Sequence, residues 1–197
     1  MAVRVRNPRG EGLRLREELV LAAGRLLESD DPTAVTLRGV AREAGVAAPS
    51  VYGHFADLDA LLLAVVEHHL ARLRREVEAV TGADPEARLR AASLAYCRWG
   101  VEHAGAYEVV FGGRALRLLS EQESAAFADG EAMLTHLGDL LAALPGVTAP
   151  QVPDLVLAGW TGLHGCVSLR TGKPGYPWPP LPAHVDLVVD GLLGVRG

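Results

Sequence analysis

Lysine is almost missing from this chain: of 19 basic residues only Lys173 is lysine, and the rest are arginine. Cysteine is scarce too, with Cys97 and Cys166 far apart in sequence, each inside a helical pattern. Such a pair reads as buried thiols in a reducing compartment and excludes a disulfide framework. Hydrophobic residues make up 49%, yet no uninterrupted apolar run reaches the ~20 residues of a membrane span. The longest candidate, 155–169, is broken by His164 and Ser168. Arg4, Arg6 and Arg9 are followed by no apolar stretch, so no secretory signal is read and a cytoplasmic protein is expected. Catalytic patterns are also lacking. No phosphate loop, paired carboxylates or Cys–His–Asp order stands out, and Glu67-His68-His69 has no second histidine four residues away. The expectation is a protein without metal, cofactor or catalytic residues, and not an enzyme.

What is present begins with an uneven charge. The chain of 197 residues carries a formal −5, which argues against indiscriminate affinity for nucleic acid. Residues 1–58 hold arginines 4, 6, 9, 14, 16, 25, 38 and 42 against acids 11, 17, 18, 28, 30, 31, 43 and 57, and so net zero. The whole −5 therefore lies in the remainder. Any positive surface must be local, and the length is ample for a buried core.

The stretch 36–55, TLRGVAREAGVAAPSVYGHF, organises the rest. Leu37, Val40, Ala41 and Ala44 fall on one face of a short helix, with Thr36 placed to cap it. Gly45 suits the left-handed turn that ends it, and Pro49 fits the first turn of a second helix. Val51 and Phe55 give that second helix an inward face. Two short helices joined by a tight turn form a helix-turn-helix, whose second helix can enter a DNA major groove. Ahead of it, 13–29 reads as a supporting helix with Leu15, Leu19, Ala22, Ala23 and Leu26 on one face. Residues 1–12, with Arg4, Arg6 and Arg9, read as a solvated tail or as a basic arm reaching phosphates or the minor groove.

The run from Val20 to Leu27, then Thr36-Leu37-Arg38-Gly39-Val40-Ala41, Ala44-Gly45-Val46, and Pro49-Ser50-Val51-Tyr52-Gly53-His54-Phe55 resembles the DNA-binding domain of the TetR (tetracycline repressor) family. The likeness covers about 14–65. It implies that Thr36, Arg38, Tyr52 and His54 lie near the DNA backbone, offering donors that phosphate oxygens accept. Base readout would fall to Ala48, Pro49, Ser50 and Gly53, small groups that touch a thymine methyl or a single acceptor. Three positions depart from the family pattern: Ala47 where Ser or Thr usually caps, Gly53 where a larger side chain is frequent, and Leu58 where a phosphate-binding lysine is common. Each weakens the head a little without overturning the assignment.

Behind the head, 57–80 reads as one long helix, a natural lever into the body. Thr81 to Pro85 is a break. In 85–103, Leu89, Ala92, Tyr96, Trp99 and His103 share a helix face; a kink then leads to a short helix with Tyr107 and Phe111. Residues 121–144 form another helix, with Met133 and His136 near its inward face. The helix 152–171 is apolar on most sides and carries Gly159, Gly162 and Gly165, which suggests close approach by another backbone. The Pro-rich stretch 172–182 reads as a stiff connector unable to be helical, and 185–192 as a final amphipathic helix.

Trp160 and His164-Gly165 are similar to a TetR-family C-terminal domain marked by a Trp, His-Gly signature. That likeness implies a ligand-binding, dimerising body. Periodicity nominates Trp99, His103, Tyr107, Phe111, Trp160 and His164 as its ligand-binding side chains, with core filling as the plain alternative for each.

The fold expected is all-α: a three-helix helix-turn-helix head at 13–58 and a helical effector-binding and dimerisation domain at 59–197. The expected function is that of a homodimeric transcription regulator, a repressor released from double-stranded operator DNA by a small apolar effector. A constitutive regulator without effector, and a helical ligand-binding protein or enzyme, are the alternatives. The enzyme leaves 36–55 unexplained.

Overall fold

The computed structural model describes residues 11–28, 35–112 and 125–194. Among these there are nine α-helices and no strand. The first four are α1 (Glu11–Leu27), α2 (Leu37–Glu43), α3 (Ala48–Tyr52) and α4 (Leu58–Glu78). Helix α1 starts two residues before the expected position, because apolar periodicity begins only at Leu15 and the first turn is mostly solvated. The arm at 1–10 lies outside the described residues.

Local chemistry sets the boundaries of α2 to α4. The Thr36 hydroxyl accepts the Gly39 amide at 2.9 Å and starts α2. Gly45, at φ +70°, makes the left-handed turn that follows. Ala47 has the extended backbone of a cap but no side-chain bond to give α3. Gly53 closes α3 at an ordinary φ of −74°, so it costs no helix interior its stability. Asp57 then caps α4, accepting the Ala60 amide at 2.8 Å. Leu19, Ala23, Val40, Val51, Phe55 and Leu61 are buried together and draw these four helices into one core.

The other five helices are α5 (Pro85–Glu102), α6 (Ala104–Phe111), α7 (Ala125–Ala142), α8 (Val152–Gly172) and α9 (Leu181–Gly194). Asp84 caps α5 through the Ala87 amide at 2.8 Å. A second core takes Leu73 and Val77 from α4, Leu89, Cys97 and Trp99 from α5, and Leu141, Cys166 and Val189 from α7 to α9. Both cysteines are free and buried in it. Val66, Leu70 and Val110 form a smaller cluster joining α4 to α6.

Within the chain, Gly159 and Gly162 of α8 accept side chains: a Cβ at Gly162 would stand 2.8 Å from Val188 Cγ1 and one at Gly159 3.2 Å from Leu192 Cδ1, while one at Gly165 would meet nothing within 4 Å. One expectation needs correction: the connector is shorter than 172–182. Gly172 is still in α8, and Leu181 with Pro182 already open α9, since proline lacks only an amide that a first turn leaves free. Between them Trp178 donates to the Lys173 carbonyl at 3.0 Å and stacks on His184, while the Arg170 guanidinium lies over its ring at 5.7 Å. Arg90 fixes α9 to α5, bonding Asp190 at 2.6 Å and Asp186 at 3.1 Å.

Candidate nucleic-acid interface and body cavity

In the head, burial of Val51 and Phe55 turns the other side of α3 outward. Pro49, Tyr52 and Gly53 are exposed, with Tyr52 at 56%; Ala48, Ser50 and His54 are half-buried. Arg38 is exposed on neighbouring α2, beside an equally exposed Arg42. The Thr36 oxygen is engaged as a cap acceptor, which leaves its O–H free to donate. An exposed large aromatic, guanidinium groups and a hydroxyl therefore share the α2–α3 side of the molecule. Carboxylates nearby are partly engaged: Glu43 pairs with Arg25 at 2.7 Å and Glu18 with Arg14 at 3.1 Å. Leu58, on the first turn of α4, packs against the head core.

The six side chains nominated in the body form one connected set of rings. Trp99 lies 5.4 Å from His103 and 6.4 Å from Tyr107; Tyr107 lies 4.6 Å from Phe111 and 5.5 Å from His164; His164 lies 6.1 Å from Trp160. Tyr107 and His164 of this set are joined by a hydrogen bond as well as by packing. The Tyr96 and Tyr107 hydroxyls meet at 2.9 Å, Tyr107 reaches His164 Nδ1 at 2.6 Å, and His164 Nε2 lies 3.3 Å from the Ser168 hydroxyl. Burial pushes both tyrosine hydroxyls well above their usual range and lowers His164, so all three are neutral at pH 7.

Beside these rings lies a cavity of about 270 Å³. Leu70 and Val77 of α4, Ala92, Ser93 and Tyr96 of α5, and Val110 and Phe111 of α6 make part of its wall. Met133, Leu134, His136 and Leu137 of α7, with Trp160 and Leu163 of α8, make most of the rest. Of the six nominated residues, only Phe111 and Trp160 line it; Trp99, His103, Tyr107 and His164 stand behind the wall. Sequence reasoning did not nominate Tyr96, Ser93 or His136. Tyr96 shares a helix face with Trp99, and this was the signal available for it. Among the described residues, His136 Nε2, His69 Nδ1 and Trp99 Nε1 are buried with no hydrogen-bond partner.

Head and body meet where α1 ends and α6 begins. No side chain of α6's own capping residue, His103, serves its first amides. Glu28 does so from the end of α1, its carboxylate accepting Gly105 N at 3.3 Å and Ala106 N at 3.1 Å. The approach is so close that a Cβ at Gly105 would fall 2.0 Å from the Leu27 carbonyl oxygen. His69 of α4 packs alongside, 3.2 Å from where a Gly24 Cβ would be and 5.9 Å from the Trp99 ring.

Two protein-family models match the chain. "Bacterial regulatory proteins, tetR family" covers residues 19–65, and "Tetracyclin repressor-like, C-terminal domain" covers residues 89–193, more than half of the length. The chain belongs to the TetR family. It is thus a DNA-binding transcriptional regulator and not an enzyme. An uncharacterized HTH-type transcriptional regulator of Mycobacterium bovis is 30% identical over 142 residues, covering 62% of this chain and 75% of the relative. A Rhodococcus sp. RHA1 protein of unknown function is similar in structure, with TM-score 0.77, 25% identity and 96% and 98% of the two chains covered. The structure of BioQ with its double-stranded DNA operator also shares the fold, with TM-score 0.60, 24% identity and 90% and 96% covered. Among the described residues no group of three His, Cys, Asp or Glu could hold a metal, and no helix is long and apolar enough to cross a membrane.

Proposed function

We propose that this TetR-family regulator is an effector-responsive repressor acting as a homodimer. The observation that carries the response is the cavity, whose walls include both helices that reach the head: α4, continuous with the head core, and α6, capped by α1. The occupant would shift α4 and α6, and the difference in its affinity for the two arrangements would set the response. The division at 58/59 belongs to this reading, with α4 opening in the head core and running into the body.

Operator contact is assigned to the α2–α3 side. Thr36, Arg38, Tyr52 and His54 would hold phosphates, and Ala48, Pro49, Ser50 and Gly53 would face base edges. BioQ, of the same fold, was solved on its operator, which supports DNA as the partner here. The dimer is assigned to α8 and α9. Leu157 and Leu187 are 61% and 66% exposed, and the open Gly165 lets a second copy approach closely. Two heads would then meet major grooves about one helical turn, ~34 Å, apart.

The test is a footprint of the purified protein on the DNA beside its own gene, at stated salt. A short protected palindrome is expected, with Tyr52→Ala and Arg38→Ala each weakening binding about tenfold, ~1.4 kcal/mol. The Arg38 change should also reduce the salt slope by about one. Protection that no small molecule relieves would favour the constitutive regulator.

A further inference from the structure

Among the described residues of the head there are arginines at 14, 16, 25, 38 and 42. Arg14 pairs with Glu18 at 3.1 Å and Arg25 with Glu43 at 2.7 Å, while Arg38 and Arg42 are exposed on α2. Arg16 is held in another way. Its guanidinium lies over the ring of Phe55, 5.0 Å from the centroid, and no ion pair among the described residues engages it. The neighbouring acids are turned elsewhere: Glu18 bonds Arg14, and Glu17 acts on His68 of α4. Arg16 is exposed, whereas Phe55 beneath it is 2% exposed and fixed in the head core. Gly12 stands one turn earlier on the same face of α1, with its Cβ position 3.9 Å from His54 Cε1. That face of α1 therefore runs beside the end of α3 that carries Tyr52, His54 and Phe55.

We propose that Arg16 is a further operator contact, its guanidinium donating to a phosphate oxygen alongside those assigned to Tyr52 and His54; this rests on the operator reading above. Stacking uses the flat face of a guanidinium and leaves the N–H groups at its edge free to bond a phosphate. The ring also fixes a long side chain before DNA arrives, so less rotamer freedom is lost on binding. A phosphate carries no base identity. The contact therefore adds affinity equally on any duplex and leaves discrimination between sequences unchanged.

The test measures binding of the full-length protein by fluorescence anisotropy across a salt series, on the footprinted operator and on a scrambled duplex of the same length. Arg16→Met covers the Phe55 ring without a charge. It should weaken both complexes about tenfold at low salt and lower the slope of log affinity against log salt by about one. Arg16→Lys keeps the charge and should hold the parent slope. Arg98→Gln, at an exposed position of α5 in the body, should change neither quantity. Thermal unfolding is followed alongside, since a side chain that merely shields Phe55 would alter Tm and not the slope.

Arg16→Met with the parent slope on both duplexes would overturn the proposal, whatever happens to Tm. So would a loss confined to the operator, or Arg16→Lys losing as much slope as Arg16→Met. The operator reading is judged separately with Arg38→Ala. If that variant loses slope and Arg16→Met does not, the α2–α3 face stands and Arg16 falls. If Arg16→Met loses slope and Arg38→Ala does not, Arg16 stands and the assignment on α2 falls. A parent protein that binds neither duplex at low salt overturns both.

Discussion

His69 carries the clearest pH dependence at the level of one side chain. Burial first, then the neighbouring charges of His68, His103 and Arg72, lower it from the usual 6.5 to about 4. As pH falls below 6.5 the unfolded chain takes up this proton before the native one can. The stability linked to His69 is therefore complete above 6.5 and is lost down to about 4, on the order of 3 kcal/mol. Urea unfolding at pH 7.5 and pH 4.5 should show the loss, and His69→Phe should flatten it. A second single-residue prediction concerns Ala47, whose extended backbone already suits a cap. Ala47→Ser should stabilise the head by about 1 kcal/mol, a rise in Tm of roughly 2–4 °C for a chain of this size. At this scale the sequence was readable where a residue type has one dominant use: Thr36 as a cap, Gly45 in a left-handed turn, Pro49 in the first turn of a helix. Ser93 and His136 were not, because whether a polar group within an apolar run faces a void or a neighbour depends on the partner helix.

Among the helices, α6 is the element to perturb, being held by the cavity wall at one end and by α1 at the other. Glu28→Gln keeps the shape of the cap but removes its charge, which a helix N-terminus favours by ~0.3–1 kcal/mol. On the proposed reading the variant should bind operator much as the parent does, while effector-driven release from DNA weakens several-fold. Unchanged release in a DNA-binding titration would leave α4 as the sole route. Helix existence and order were legible from apolar periodicity, and boundaries less so. The connector's end at Leu181 was hidden because Pro182 reads as a breaker, although a first turn tolerates it. The Glu28–α6 contact had no sequence signal, since it joins residues 77 apart.

For the molecule as a whole, the uneven charge acquires a place. The head nets zero, so on the proposed reading Arg38 acts locally, while the net negative charge of the remaining chain disfavours other approaches of the duplex. On the dimer reading, Leu187→Glu introduces a charge into the shared face and should convert the protein to a monomer in light scattering. Operator affinity should fall by at least tenfold, with each isolated subunit still folded, because Leu187 is 66% exposed and contributes little to its own core. Finally, the amides of Gly105 and Ala106 have their protons tied to one carboxylate at the far side of the head–body joint. Their exchange with deuterated solvent is slowed by that contact and quickens when the joint opens. On the proposed reading, two backbone positions thus serve as a gauge of the gap between head and body, readable with neither DNA nor effector present, and their exchange rates report how far the resting protein already visits the released form.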